Sequence, residues 1–227
     1  YQSRRFLITN DVLGFLTIAS IFSIAFETVE SMLAYQHIFL AVEYITVLIF
    51  TLEYIGRIIV AKDKRKYMFS FYGVIDLLAI LPTYLHLVNL TFLKSVRMLR
   101  ILRFLRIVRV TKFARLSKRR VTEEELHSHV LGINIKIYFT ALFFAIVLFG
   151  ALMYSVEGHQ PYAHNIPLGM IWAANTLVGI PPPPVDTLWG DFVVILTRFT
   201  SLLLFGLLIH VVGNSVKRFL FGTENID

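Results

Sequence analysis

The sequence predicts an all-α membrane protein with six transmembrane helices plus one re-entrant helix, and three observations lead there. Of its 227 residues, 56% are hydrophobic and the mean hydropathy is +0.69, too apolar for a soluble protein of this length. Apolar runs recur between short basic clusters. One segment, 94–120, alternates cations with hydrocarbon at a fixed spacing of three. The chain has no cysteine, which excludes disulfides and thiolate metal sites. Residues 1–10 lack a signal-peptide pattern.

In chain order, the first apolar segment is 12–32, preceded by Arg4 and Arg5. The second is 39–60, followed by the basic loop Lys62-Asp63-Lys64-Arg65-Lys66. The third, 74–88, is shorter and broken by Pro82. The fourth is the cationic segment, ending in Lys118-Arg119-Arg120. The fifth is 133–154 and the sixth 192–219, closing on Lys217-Arg218. The basic clusters all fall on one side when the chain crosses six times, and the positive-inside rule then makes both termini cytoplasmic in a plasma membrane. Between the last two segments, the apolar run 168–178 is too short to span and reads as re-entrant. Irregular backbone at membrane depth is tolerated where it lines protein or water, which implies a pore lining. The alternative is an ordinary outer loop with one interfacial helix.

The cationic segment reads Arg97, Arg100, Arg103, Arg106, Arg109, Lys112, Arg115, with almost only apolar residues between. A step of three turns an α-helix by roughly 300°, so the cations form a slow spiral; a 3₁₀-helix would bring them onto one face. A basic amphipathic helix on anionic lipid or nucleic acid is one reading. It expects polar residues among the cations and a soluble body to carry them, and this chain has neither. Cations held inside a membrane are costly and normally functional, so the segment is expected to be a voltage-sensing helix.

Carboxylates lie inside the other apolar segments: Glu27 in the first, Glu43 and Glu53 in the second, Asp76 in the third. They need partners, and the cationic ladder supplies them. Phe50, three residues before Glu53 on the same helix face, is either an apolar plug between two aqueous clefts or an ordinary core phenylalanine. Arg57 is either the local partner of Glu53 or a snorkelling anchor.

With these residues in view, nearly the whole chain resembles the voltage-gated potassium channel family, of the prokaryotic six-segment type. Phe26-Glu27-Thr28 is similar to the end of that family's first segment. Residues 43–57 resemble its second, where the resemblance implies that Phe50 and Glu53 form a charge-transfer centre. Residues 74–82 resemble its third, adding Asp76 to that centre. Residues 100–112 match its gating cations, with Arg97 as an additional outer one. Asn214, after Val211-Val212-Gly213, resembles the asparagine near the cytoplasmic end of the sixth segment. The implied architecture is a voltage-sensor four-helix bundle, 1–118, followed by a tetrameric pore module, 119–227. One pore module supplies only part of a conduit, hence a homotetramer.

The filter departs from the family. In place of TTVGYGD stand Thr176-Leu177-Val178-Gly179-Ile180-Pro181-Pro182. Leu177 replaces a threonine, Ile180 the tyrosine and Pro181 the second glycine. A filter of stacked carbonyls needs glycine conformations that proline, with φ fixed near −65° and no amide hydrogen, lacks. Residues 181–184 are expected to form polyproline II over about 12 Å. The beginning, Thr176-Leu177, is also similar to bacterial sodium-channel filters, although no acid follows.

Arg198 inside the sixth segment either pairs with Asp191 or Glu157, the preferred reading, or faces the pore. The family's hinge glycine aligns with Ser201. Gly206, His210 and Asn214 are the further inner-helix candidates for gating, although a lone histidine such as His210 is more often a packing residue. Glu123-Glu124-Glu125 reads as a solvated face of the linker. The expected function is voltage-gated cation conduction. Potassium is the family default, and a channel that is non-selective or selective for another cation is the alternative, as is a non-conducting voltage-sensing subunit. No nucleophile, metal cluster or phosphate loop points to an enzyme. The expected associations are the lipid bilayer, identical copies and a permeant monovalent cation, K⁺ or Na⁺; no cofactor, further metal or nucleic acid is expected.

Overall fold

The computed structural model describes residues 4–87, 106, 109 and 123–221. Among them are seven α-helices: α1 (Arg4–Glu27), α2 (Gln36–Val60), α3 (Lys64–Met68), α4 (Phe71–Leu87), α5 (Glu123–Glu157), α6 (Ile166–Val178) and α7 (Leu188–Phe221). Short 3₁₀ turns, Glu30–Tyr35 and Pro161–Ala163, precede α2 and α6. Glu30–Val60, Asn134–Glu157 and Leu188–Gly213 are long and apolar enough to cross a membrane; Val12–Glu27, Phe71–Leu85 and Ile166–Val178 are shorter apolar helices. Of the cationic ladder, Arg106 and Arg109 are described. Arg97, Arg100, Arg103, Lys112 and Arg115 lie outside the described residues.

The helix ends differ from the expected segments for local reasons. The first helix stops at Glu27 rather than running on to 32: the Thr28 hydroxyl donates to the Ala25 carbonyl at 2.6 Å, a bond to a final-turn carbonyl that a continuing helix would use itself. α3 starts where the Asp63 side chain accepts from the Lys66 amide at 3.2 Å, an N-cap that splits the basic loop. The fifth segment begins ten residues earlier than expected, so 123–125 form the first turn of α5.

The apolar faces meet in three places. Leu13 of α1, Val47, Phe50 and Tyr54 of α2 and Ile80 of α4 form one core. Phe149, Met153, Trp172, Leu177, Val193 and Leu204 join α5, α6 and α7 in another. A third cluster brings Ile21 and Ile24 of α1 onto Val147 and Tyr154 of α5 and Ile166 of α6, while the Thr28 hydroxyl accepts from the Ile166 amide at 3.0 Å. The first helix thus touches both the α2–α4 pair and the α5–α6 pair. Outside these cores, α7 leaves Phe199, Leu202, Leu203 and Phe205 largely exposed. An apolar surface of that kind is what lipid or a neighbouring subunit covers.

α5 and α6 approach at Gly150 and Gly169. A Cβ built on Gly150 would lie 2.6 Å from the Met170 Cα, and one on Gly169 would meet the Gly150 carbonyl. Both obstacles are backbone and cannot swing aside. Gly150→Ala is therefore expected to cost roughly 1–3 kcal/mol through overpacking, read as a lower melting temperature of the detergent-solubilised protein. Gly56→Ala, where the added methyl meets nothing within 4 Å, should leave that temperature unchanged or raise it.

Candidate functional site

Charged groups buried inside an apolar helix bundle must find one another, and here α1, α2 and α4 converge on Arg106 and Arg109. The Arg106 Nη1 lies 2.7 Å from Glu43 Oε2 and 3.5 Å from Glu27 Oε2. Arg109 is fully buried and surrounded by acceptors. Its Nε donates to the Ala79 carbonyl at 2.8 Å, Nη1 to Ser20 Oγ at 2.7 Å and Nη2 to Thr83 Oγ1 at 3.1 Å. Glu43 Oε1 stands 3.8 Å from Nη2 and accepts the Thr83 hydroxyl at 2.6 Å. Among the described residues, two guanidinium groups thus meet two carboxylates.

The Ala79 carbonyl has a sequence neighbour that bears on this. Pro82 has no amide hydrogen for the Leu78 carbonyl four residues back, so the intrahelical ladder of α4 is incomplete at that turn. On the adjacent residue, Ala79, the carbonyl binds Arg109. Ser20, Thr83 and this carbonyl are participants that sequence reasoning missed. A hydroxyl in an apolar helix carries little signal, since Thr17, Thr46 and Thr51 bond to their own helix four residues back. The proline in the third segment was the one available cue.

Glu53 and Asp76 lie at a second cluster. Arg57 pairs with Glu53 one turn earlier and reaches Asp76 Oδ2 at 3.7 Å. The Tyr67 hydroxyl donates to the same Asp76 oxygen at 3.0 Å. Tyr67 belongs to α3, in the basic loop, and burial together with the Asp76 charge holds its hydroxyl well above the usual phenol range. Arg57 is thus one cation that faces Glu53 and Asp76, whereas Arg106 sits against Glu43 and Glu27 and Arg109 against Glu43. Of the two roles open to Arg57, local partner is the one observed. Phe50 is fully buried on α2, two turns after Glu43 and just under one turn before Glu53. It separates the two acids along one helix face.

In the second half, α6 is capped by Asn165, whose side chain accepts from the Leu168 amide at 2.9 Å. Thr176, Leu177 and Val178 are helical to the end. Gly179 follows at φ 104°, the Gly179 amide donating to the Thr176 carbonyl at 3.2 Å and the Ile180 amide to the Asn175 carbonyl at 2.9 Å. That pair of bonds is a Schellman motif, a helix stop that uses a left-handed glycine. Residues 180–185 have neither helix nor strand. Pro181 and Pro182 line a shallow concavity with Tyr162, Trp172 and Asn175.

α7 supports this end of α6. The Ser201 hydroxyl donates to the Leu177 carbonyl at 2.6 Å, and Arg198 Nη2 to the Ile180 carbonyl at 3.4 Å. The preferred pairing of Arg198 with Asp191 or Glu157 is thus corrected: backbone carbonyls beyond a helix C-terminus carry partial negative charge and attract a cation without a carboxylate. Ser201, aligned with a hinge glycine, braces two helices. Gly206 and His210 lie along an uninterrupted α7, with open space beside Gly206 and an exposed His210. Asn214 is in the same helix, its side chain outside the described residues.

Compared with known families, residues 9–220 match the family model described as ion transport protein.

Because Glu43 faces both buried arginines, Glu43→Gln is expected to destabilise by roughly 3–5 kcal/mol, leaving buried positive charge uncompensated. Thermal melts of the detergent-solubilised protein read the loss. Adding Arg106→Gln should recover part of it, since contacting charges are coupled; a double variant no more stable than Glu43→Gln alone would contradict that coupling.

Proposed function

The chain belongs to the ion transport protein family, a family of channels rather than enzymes, and from that premise we propose that it is a voltage-gated cation channel of low ionic selectivity. Cation channel of the voltage-gated type is the level at which the family match applies. Our reading goes further: residues 1–118 form a sensor and 119–227 a pore module, in a chain that crosses the plasma membrane six times with both termini cytoplasmic. Four copies close the conduit, and the uncovered apolar surface of α7 suits such an assembly.

The observation that carries the sensor reading is Arg106 and Arg109, buried and neutralised by Glu43 and Glu27 within a membrane bundle. In this reading Arg97, Arg100, Arg103, Arg106, Arg109, Lys112 and Arg115 are the gating cations. Glu27 and Glu43 hold them on one side of Phe50, and Glu53 with Asp76 on the other. Arg57 then occupies part of the second site as a resident cation, so an arriving arginine shares or displaces it. Moving one charge through the whole field is worth about 2.3 kcal/mol per 100 mV. Arg106→Gln should therefore flatten the charge–voltage relation, by about a quarter of its limiting slope if four arginines cross fully. An unchanged slope for both Arg106→Gln and Arg109→Gln would rule out these two as gating charges.

Selectivity follows from local backbone chemistry. The carbonyls of Asn175 and Thr176 are engaged by the helix stop at Gly179, and Pro181 cannot take the conformation of the glycine it replaces. A column of four carbonyl rings has no continuous strand of backbone to form from. Purified protein in planar bilayers, under potassium and sodium gradients, is expected to give reversal potentials showing weak discrimination. Values near the potassium equilibrium potential would restore the family's selectivity. The closed helix stop and the Arg198 cation beside it also favour a second reading, a voltage-sensing subunit that does not conduct. Gating charge movement without ionic current in the same bilayers would select it.

A further inference from the structure

Where α5 ends, its last residue, Glu157, is fully buried. One oxygen is satisfied: Oε1 accepts the Thr187 amide at 2.8 Å and the Thr187 hydroxyl at 2.6 Å. The other, Oε2, is buried with no hydrogen-bond partner. A carboxylate oxygen left in that condition is costly unless a cation reaches it. His159 Nε2 stands 3.5 Å away, and that same nitrogen lies 3.3 Å from Asp186 Oδ2. Gln160 Nε2 also donates to Asp186 Oδ2 and holds that carboxylate in place.

We propose that Glu157, His159 and Asp186 form a binding site for a divalent transition-metal cation, zinc being the best fit. One ligand atom from each of the three lies within 4.8 Å of the others. Zinc bonds nitrogen and oxygen at about 2.0–2.2 Å, which puts neighbouring ligands of a tetrahedral site roughly 3.3–3.6 Å apart. The histidine-to-carboxylate separations of 3.3 and 3.5 Å fall in that interval. One imidazole and two carboxylates form a mixed nitrogen and oxygen set that suits zinc better than calcium or magnesium, which prefer oxygen alone. The Thr187 bonds to Oε1 fix the Glu157 carboxylate with Oε2 on the side of His159, as outer hydrogen bonds do for metal ligands. The surroundings are electronegative: the Tyr162 hydroxyl is pushed up to about 12 by burial and by the charges of Glu157 and Asp186.

The site joins the end of α5 to Asp186, which follows the proline run, so an occupied site staples both ends of the segment that holds α6 and Gly179. His159 and Asp186 have side chains 49% and 58% exposed, which gives a cation direct entry from solvent.

The full chain, purified in detergent and freed of metal by chelator, tests this by zinc titration calorimetry. One saturable zinc per chain is expected, with affinity at least tenfold weaker in His159→Ala and in Asp186→Asn. His164→Ala, which removes the histidine beside Glu30, should bind as the parent does. Glu157→Gln disturbs a buried residue with two bonds to Thr187, so the two half-exposed positions carry the test. Zinc should also raise the melting temperature of the parent and not that of His159→Ala. Absence of saturable zinc binding by the parent, or equal affinity in the parent and both variants, would overturn the proposal.

Discussion

Everything in the first half of the chain is subordinate to the need to hold guanidinium charge inside an apolar bundle. Taking an ion out of water costs several kcal/mol even after relaxation, and the Arg109 guanidinium is completely enclosed. Its compensation comes from three helices: a hydroxyl of α1, a carboxylate of α2, and a carbonyl and hydroxyl of α4. Remove any one helix and the site is short of acceptors. That requirement fixes how α1, α2 and α4 pack, more strictly than their apolar contacts do, because oil-like side chains meet with little directional preference. Glu43 is the pivot, since its two oxygens face two different arginines.

The acids of this site were legible in the sequence, and for a physical reason: a carboxylate in an apolar run is rare enough that its position alone is informative. The pairing was less so. Spacing put Arg57 one turn after Glu53, and that local ion pair exists. Nothing in the spacing separated the two acid clusters, because which cation meets which acid depends on the height of one helix against another. The hydroxyl partners were invisible for the opposite reason to the acids: threonine and serine are ordinary in such helices, and most satisfy themselves. Arg198 departs from the expectation that a cation in an apolar helix seeks an acid. The partner it has, the Ile180 carbonyl, follows from a helix ending beside it, which becomes apparent only once α6 and α7 are placed together.

The short apolar helix α6 was also legible, from a run too short to span, and Asn165 with Gly179 marks its ends in the usual vocabulary of helix caps. The identity of the residues after it invited a different reading. Thr176, Val178 and Gly179 match an ion filter letter for letter, yet the same letters complete a helix and its stop. Glycine serves both structures because it tolerates positive φ; its presence therefore cannot choose between them. Proline can choose. With Pro181 through Pro184 unable to donate amide hydrogens, the chain beyond Ile180 has no backbone donor over four residues, and whatever orders it must come from elsewhere.

What orders it comes from two sides. On one, Ser201 and Arg198 of α7 take carbonyls at Leu177 and Ile180. On the other, the segment after the prolines is held at Thr187 by Glu157, at Asp186 by Gln160, and at Pro184 by the Tyr162 hydroxyl. The proline run is thus suspended between fixed points rather than built into a ladder of its own. Such an arrangement places the conformation of the proline run under the control of α7, of Glu157 at the end of α5, and of Gln160 and Tyr162 just after it, while α5 and α7 share a core with Trp172 and Leu177. A change in the packing of either helix is transmitted to the proline run through these few bonds, which gives the helical body of this chain a mechanical hold on it.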